Sequence, residues 1–168
     1  MTMALKSISP TAFAATQIAL LDQELAAEAA ETSSLISNLS PTALSRAGLA
    51  LINLTVSSQR TGLGGKTVLE LCPDPATSSA ATSEFPEHGI RVGDIVLIAG
   101  QPAGSAKKRE VKDLESKGAR GVVTKVWKAA VHVALDRDDE DWASNLGGRL
   151  WVVKLANDVT YKRYEALL

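Results

Sequence analysis

Cysteine is almost missing from this 168-residue chain. Cys72 stands alone, so no internal disulfide framework holds the fold, and a single thiol suits a reducing cytosol or nucleus. Long apolar runs are missing too. No uncharged stretch approaches the ~20 residues that a membrane-spanning helix needs, so no membrane partner is expected. Neither sign of charge dominates: 18 Lys and Arg face 19 Asp and Glu, for a net charge of −1. A free-standing protein that grips phosphate backbones by charge alone is normally more basic. What is present is an ordinary apolar share, 45%, with a mean hydropathy of +0.04, which argues against a disordered chain. The length suits one domain with a helical extension rather than two independent cores.

Neither end reads as an address. Met1 to Pro10 holds one lysine and no apolar core, and Asp22 and Glu24 soon follow, unlike secretory or mitochondrial leaders. At the other end Asn157 or Asp158 can cap a helix whose body begins at Val159. Tyr161, Tyr164 and Leu168 then recur at spacings of three and four as one apolar stripe. No Gly, Asn or Pro stops this helix, and about three isolated turns are marginal in water, so the expectation is a helix that continues in a longer parent protein, with a frayed helix end as the alternative.

Ser9-Pro10 can start a first helix running from Thr11 to about Glu31. Ile18, Leu21 and Leu25, flanked by Ala14 and Ala29, make a narrow seam for one partner helix. Ser40-Pro41 opens a second, short helix that Gly48 closes after Arg46. From Leu49 the period drops to two, with Ala50, Ile52, Leu54 and Val56 expected on one face. Further strand candidates are Thr67–Cys72, Asp94–Ala99, Gly121–Trp127, Ala130–Leu135 and Arg149–Leu155. Two long connections interrupt them, 73–89 and 100–118, the second with a short helix through Leu114. The reading is α+β: a small antiparallel β-barrel of about six strands, partly open, over 49–156. The helical segment 1–48 and the helix beginning in 157–168 are expected to pair as its stalk, the alternative being that the N-terminal helix packs directly on the barrel.

Motifs that carry chemistry mostly fail. Gly62-Leu-Gly-Gly-Lys66-Thr67 resembles a phosphate loop, but a Walker pattern ending at Gly65 needs Gly where Arg60 stands. The residues that follow read as strand rather than helix, so the glycines serve a hairpin turn. Asp136-Arg-Asp-Asp-Glu-Asp141 has Asp141 where a calcium loop needs Gly and Gly147 where it needs Glu, which leaves an acidic solvated loop. His88 and His132 lack partners at metal-ligand spacing and read as surface residues, and Cys72 as a half-buried strand residue. Trp127, Trp142 and Trp151 could stack on bases, although a strand tryptophan is more often core. No catalytic residue and no metal ligand is assigned. The candidate nucleic-acid contacts are Arg60 and Lys66 beside the glycine turn, Lys107, Lys108 and Arg109 in the second long loop, and Lys125 and Lys128 at one hairpin. A protein-interaction module using the barrel edge or the loops is the alternative.

Several stretches resemble one family. They are Ser57-Ser-Gln-Arg-Thr-Gly-Leu-Gly-Gly-Lys66, Arg91-Val-Gly-Asp-Ile-Val96, Gly121-Val-Val-Thr-Lys-Val126, Val131-His-Val-Ala-Leu-Asp136 and Arg149-Leu-Trp-Val-Val-Lys-Leu-Ala-Asn-Asp-Val-Thr-Tyr-Lys-Arg163. Together they look like the amino-terminal region of immunoglobulin mu-binding-protein-type, or polymerase-alpha-associated, superfamily 1 DNA/RNA helicases. The resemblance covers about Leu20 to Leu168. It implies a barrel on a two-helix stalk, joined to RecA-like motor domains that bind ATP and magnesium and drive 5′-to-3′ unwinding. It also implies a barrel beside the single-strand channel, and a nuclear or cytoplasmic protein. No motor residue matches in this chain, so no cofactor site and no ATPase activity is carried onto it.

Overall fold

The computed structural model describes residues 8–77, 83–103, 111–136, 140–143 and 146–167. The chain divides into two compact units. One joins the residues up to Glu31 with those from Ala156 onward; the other runs from Thr32 to Leu155.

The first unit holds most of α1 (Pro10–Asn38) and all of α5 (Asp158–Glu165). Ser9 caps α1, its hydroxyl accepting from the Ala12 N–H at 3.2 Å. Ala14, Ile18, Leu21 and Leu25 are half-buried, as the seam predicts. Ala29, expected to flank that seam, is exposed; Glu28 takes the place instead and accepts a 3.0 Å hydrogen bond from the Tyr161 hydroxyl. Asn157 caps α5 through the Thr160 N–H. The expected stripe on α5 is narrower than its spacing suggests. Tyr161 is half-buried, Tyr164 is 52% exposed, and Leu168 lies outside the described residues.

α1 also runs longer than expected, because no Gly or Pro interrupts it before Ser40-Pro41. Its last turns belong to the second unit, where Ile36 is fully buried. α2 (Pro41–Arg46) follows, capped by Ser40 and closed at Gly48, whose φ of +76° suits glycine.

The six strands are β1 (Ala50–Thr61), β2 (Thr67–Pro73), β3 (Ile95–Gly100), β4 (Ala119–Val126), β5 (Val131–Leu135) and β6 (Leu150–Lys154). They close in the order β1-β2-β5-β4-β3-β6, every pair antiparallel. The barrel is therefore closed rather than partly open, and the described strands leave no free edge. Short helices α3 (Val111–Lys117) and α4 (Glu140–Ala143) lie in the connections.

Inside the barrel sit Leu51, Leu54, Leu69, Leu71, Val96, Ile98, Val123, Val131, Val133, Leu135, Leu150 and Val152. Strict alternation along β1 fails at Asn53, whose φ is +56°. A bulge there lets Leu51 and Leu54 both face inward, while Ala50 and Ile52 face out. A second apolar layer covers the outer side of β3, β6 and the start of β1. Ile36 and Leu44 pack there against Ile95, Leu97, Ala99, Trp151 and Val153. That is why every residue of β3 except Gly100 is buried, since covered strands lose their polar face.

Candidate nucleic-acid interface

The remaining outer face, spanning the second half of β1 with β2, β5 and β4, is polar. Strand register sets its layout. Ser58 lies opposite Glu70, Glu70 opposite His132, and His132 opposite Lys125, so one row crosses four strands. Arg60 stands one pleat along β1 from Ser58, and Trp127 follows the end of β4.

His132 is the centre of this row. Only 4% of it is exposed, because three side chains close over it, so the sequence expectation of a surface histidine is wrong. The Trp127 ring meets it edge to face at 4.5 Å, with an interplanar angle of 84°. Arg60 Nη2 lies 3.1 Å from Nδ1, and Glu70 Oε2 lies 2.8 Å from Nε2. A guanidinium only donates, so Nδ1 must be the acceptor. Nε2 then carries the hydrogen and donates to the carboxylate.

Glu70 has further partners. The Ser57 hydroxyl donates to Oε1 at 2.7 Å, and the Ser58 hydroxyl lies 3.5 Å from Oε2. The Ser57 bond and then the His132 bond hold its carboxyl below the usual glutamate range. Its charge is thereby spent on protein donors. Cys72, half-buried as expected, donates its thiol hydrogen to Ser57 at 3.4 Å.

Lys125 Nζ lies 5.5 Å from the Trp127 ring centroid, within cation–π range. The indole itself stays 49% exposed. The other two tryptophans do not share this face. Trp151 is fully buried in the second apolar layer, and Trp142 packs on the barrel core while its Nε1 donates to the Lys117 carbonyl at 2.8 Å.

Of the seven candidate contacts, Arg60 and Lys125 converge here. Lys66 instead sits 3.9 Å from Asp136, beside the turn where Gly64 and Gly65 take the expected positive φ. Lys128 sits 4.0 Å from Glu84. Both pairs are long and exposed, so they hold their lysines weakly. Lys107, Lys108 and Arg109 lie outside the described residues. His88, read as a surface residue, is half-buried in the connection before β3. Its Nδ1 accepts from the Ile90 N–H at 3.2 Å, and desolvation pushes its protonation downward. Among the described residues no group of His, Cys, Asp or Glu could hold a metal ion, and no helix is long and apolar enough to cross a membrane.

Sequence reasoning missed Glu70 and His132 as members of this cluster. The available signal was that both occupy outward positions on strands whose alternate residues are aliphatic, one pleat-step from Arg60 and Lys125. Pairing them across β2 and β5 needed the register, which no local pattern contains.

Residues 14–154 match the family described as helicase SMUBP-2/HCS1, 1B domain. The DNA polymerase alpha-associated DNA helicase A of Schizosaccharomyces pombe is 39% identical over 147 residues, covering 88% of this chain and 21% of that protein. The DNA-binding protein SMUBP-2 of Rattus norvegicus is 34% identical over 164 residues, 96% of this chain and 15% of its own length. The Saccharomyces cerevisiae DNA polymerase alpha-associated DNA helicase A is 32% identical, over 82% of this chain and 21% of that protein. The chain thus spans about a fifth or less of the curated relatives it matches. With a closed six-stranded barrel, flanking helices and a family match over nearly the whole barrel unit, the chain belongs to the SMUBP-2/HCS1 helicase 1B-domain family.

Proposed function

We propose that this chain is the non-catalytic barrel-and-stalk region of an ATP-dependent 5′-to-3′ DNA/RNA helicase, acting in nucleus or cytoplasm. It contacts or regulates a single strand of DNA or RNA beside RecA-like motor domains of the same parent chain. ATP and magnesium belong to those motors, and this chain supplies no residue to them. The observation that carries the reading is the convergence of Arg60, Lys125 and the half-exposed Trp127 on one barrel face. There the carboxylate of the row, Glu70, is already bonded to Ser57 and His132. Two cations beside an exposed aromatic suit a strand with phosphates and bases. Lys66 and Lys128 extend the positive track once their weak ion pairs open, and Lys107, Lys108 and Arg109, outside the described residues, are further candidates.

The test is a titration of the 168-residue chain with labelled single-stranded oligonucleotide at low and moderate salt. Binding should be weak and salt-sensitive. Changing Arg60 and Lys125 together to Ala should weaken it at low salt, and the triple change at Lys107, Lys108 and Arg109 measures the loop separately. No binding at low salt refutes the proposal. The protein-interaction alternative finds no open strand edge among the described strands, which leaves it the loops; partner capture without oligonucleotide binding would favour it.

A further inference from the structure

We infer that Trp127 is a stacking platform for one nucleobase of the bound strand, a site that rests on the nucleic-acid reading above. Three observations carry it. The indole is 49% exposed, although tryptophan normally buries most of its large apolar surface. It is nevertheless not loose. The Trp127 main-chain N–H donates to the Ala130 carbonyl at 2.8 Å, which fixes the backbone that carries the ring, and the ring itself rests edge to face on His132. His132 in turn is fixed between Arg60 and Glu70. An exposed ring on a rigid mount loses little freedom when a flat partner arrives, which makes stacking effective.

The cations sit where a backbone would need them. Lys125 stands beside the ring with Nζ 5.5 Å from its centroid, and Arg60 lies beyond His132 on the same face. A base on the indole therefore leaves its flanking phosphates within reach of both. Leu63, fully exposed at the tip of the glycine turn, makes a useful contrast. It has no aromatic face, and no hydrogen-bonded mount holds it. Stacking tolerates any base, so the site provides affinity without sequence preference.

The experiment compares a labelled single-stranded oligonucleotide with an abasic oligomer of the same length and charge. Trp127→Ala should weaken oligonucleotide binding about tenfold, as expected for one lost stacked base, with the salt slope unchanged. Abasic binding should not change. Trp127→Phe, which keeps an aromatic face, should stay within about threefold of the parent chain. In the parent chain the oligonucleotide should quench tryptophan emission, and in the Phe variant that quenching should vanish. Melting curves verify that both variants fold. If Trp127→Ala leaves oligonucleotide affinity unchanged, the stacking site is refuted while nucleic-acid binding stands. Equal weakening toward both oligomers also refutes it, because the ring would then act only through backbone contacts. Failure of the parent chain to bind either oligomer defeats the broader reading, and this site with it.

Discussion

Gly121 lies on β4 where that strand crosses β5 inside a closed barrel, and adding one methyl there tests whether the two strands approach as closely as described. A Cβ at Gly121 would sit 2.6 Å from the Ala134 carbonyl oxygen and 2.7 Å from Val133 Cγ1. That is roughly 1 Å inside the ~3.5 Å at which unbonded atoms rest. Val133 could rotate only into a filled interior. The Ala134 carbonyl cannot swing away either, because Ala134 is paired with Val122 in the ladder. Gly121→Ala must therefore part the strands locally, and overpacking of this kind costs about 1–3 kcal/mol. For a chain of this size that lowers the melting temperature by about 2–12 °C. Gly147 supplies the control, since nothing lies within 4 Å of its added Cβ and its φ is not positive. Gly147→Ala should be neutral or raise stability by about 0.4–1 kcal/mol through the unfolded chain. Thermal unfolding followed by circular dichroism reads both variants. A Gly121→Ala chain that melts at or above the parent would refute the close approach of β4 and β5. The same variant should also bind oligonucleotide less well, because His132 and Lys125 face each other across that strand pair.

Four further outcomes are expected. Ile36→Ala removes a fully buried side chain from the layer over β3 and β6 and should cost about 2–5 kcal/mol in denaturant unfolding; a loss below about 1 kcal/mol would contradict that packing. Arg60→Ala and Lys125→Ala should each reduce the slope of log affinity against log salt by about 0.7, and an unchanged slope would remove that residue from the phosphate contacts. Glu70 has a depressed folded pKa, so its contribution to stability is complete above the ordinary glutamate value near 4.3 and is lost as pH falls through the lower folded value. Glu70→Gln should accordingly lose less stability than the parent between about pH 6 and 3, and parallel acid profiles would rule this out. Tyr161 is raised by desolvation and by its bond to Glu28, so its contribution is complete below the ordinary phenol value near 10 and fades as pH rises through the folded value. Tyr161→Phe should remove that alkaline sensitivity from the helix pair, as read by helical ellipticity between about pH 9 and 12.

Much of this protein follows from local rules that act within a few residues. Ser9-Pro10 and Ser40-Pro41 start helices because a hydroxyl acceptor and a preset φ solve the problem of unpaired N–H groups. Ala14, Ile18, Leu21 and Leu25 fall on one side of α1 because the helical period puts them there. The six strand segments, the glycine turn at 62–65 and the helicase resemblance were legible for the same reason: each is written in adjacent residues. Tertiary structure decided what local pattern could not carry. Closure of the barrel depends on β1 meeting both β2 and β6, and a bulge at Asn53 turns the strand between them. Alternation along β1 therefore misassigns Ala50 and Ile52. Glu28 rather than Ala29 meets α5, because the Tyr161 hydroxyl needs an acceptor. His132 is buried on the outside of the barrel only because Arg60, Glu70 and Trp127, far apart in sequence, converge over it. Periodicity states which way a side chain points, whereas register between distant strands states what it meets.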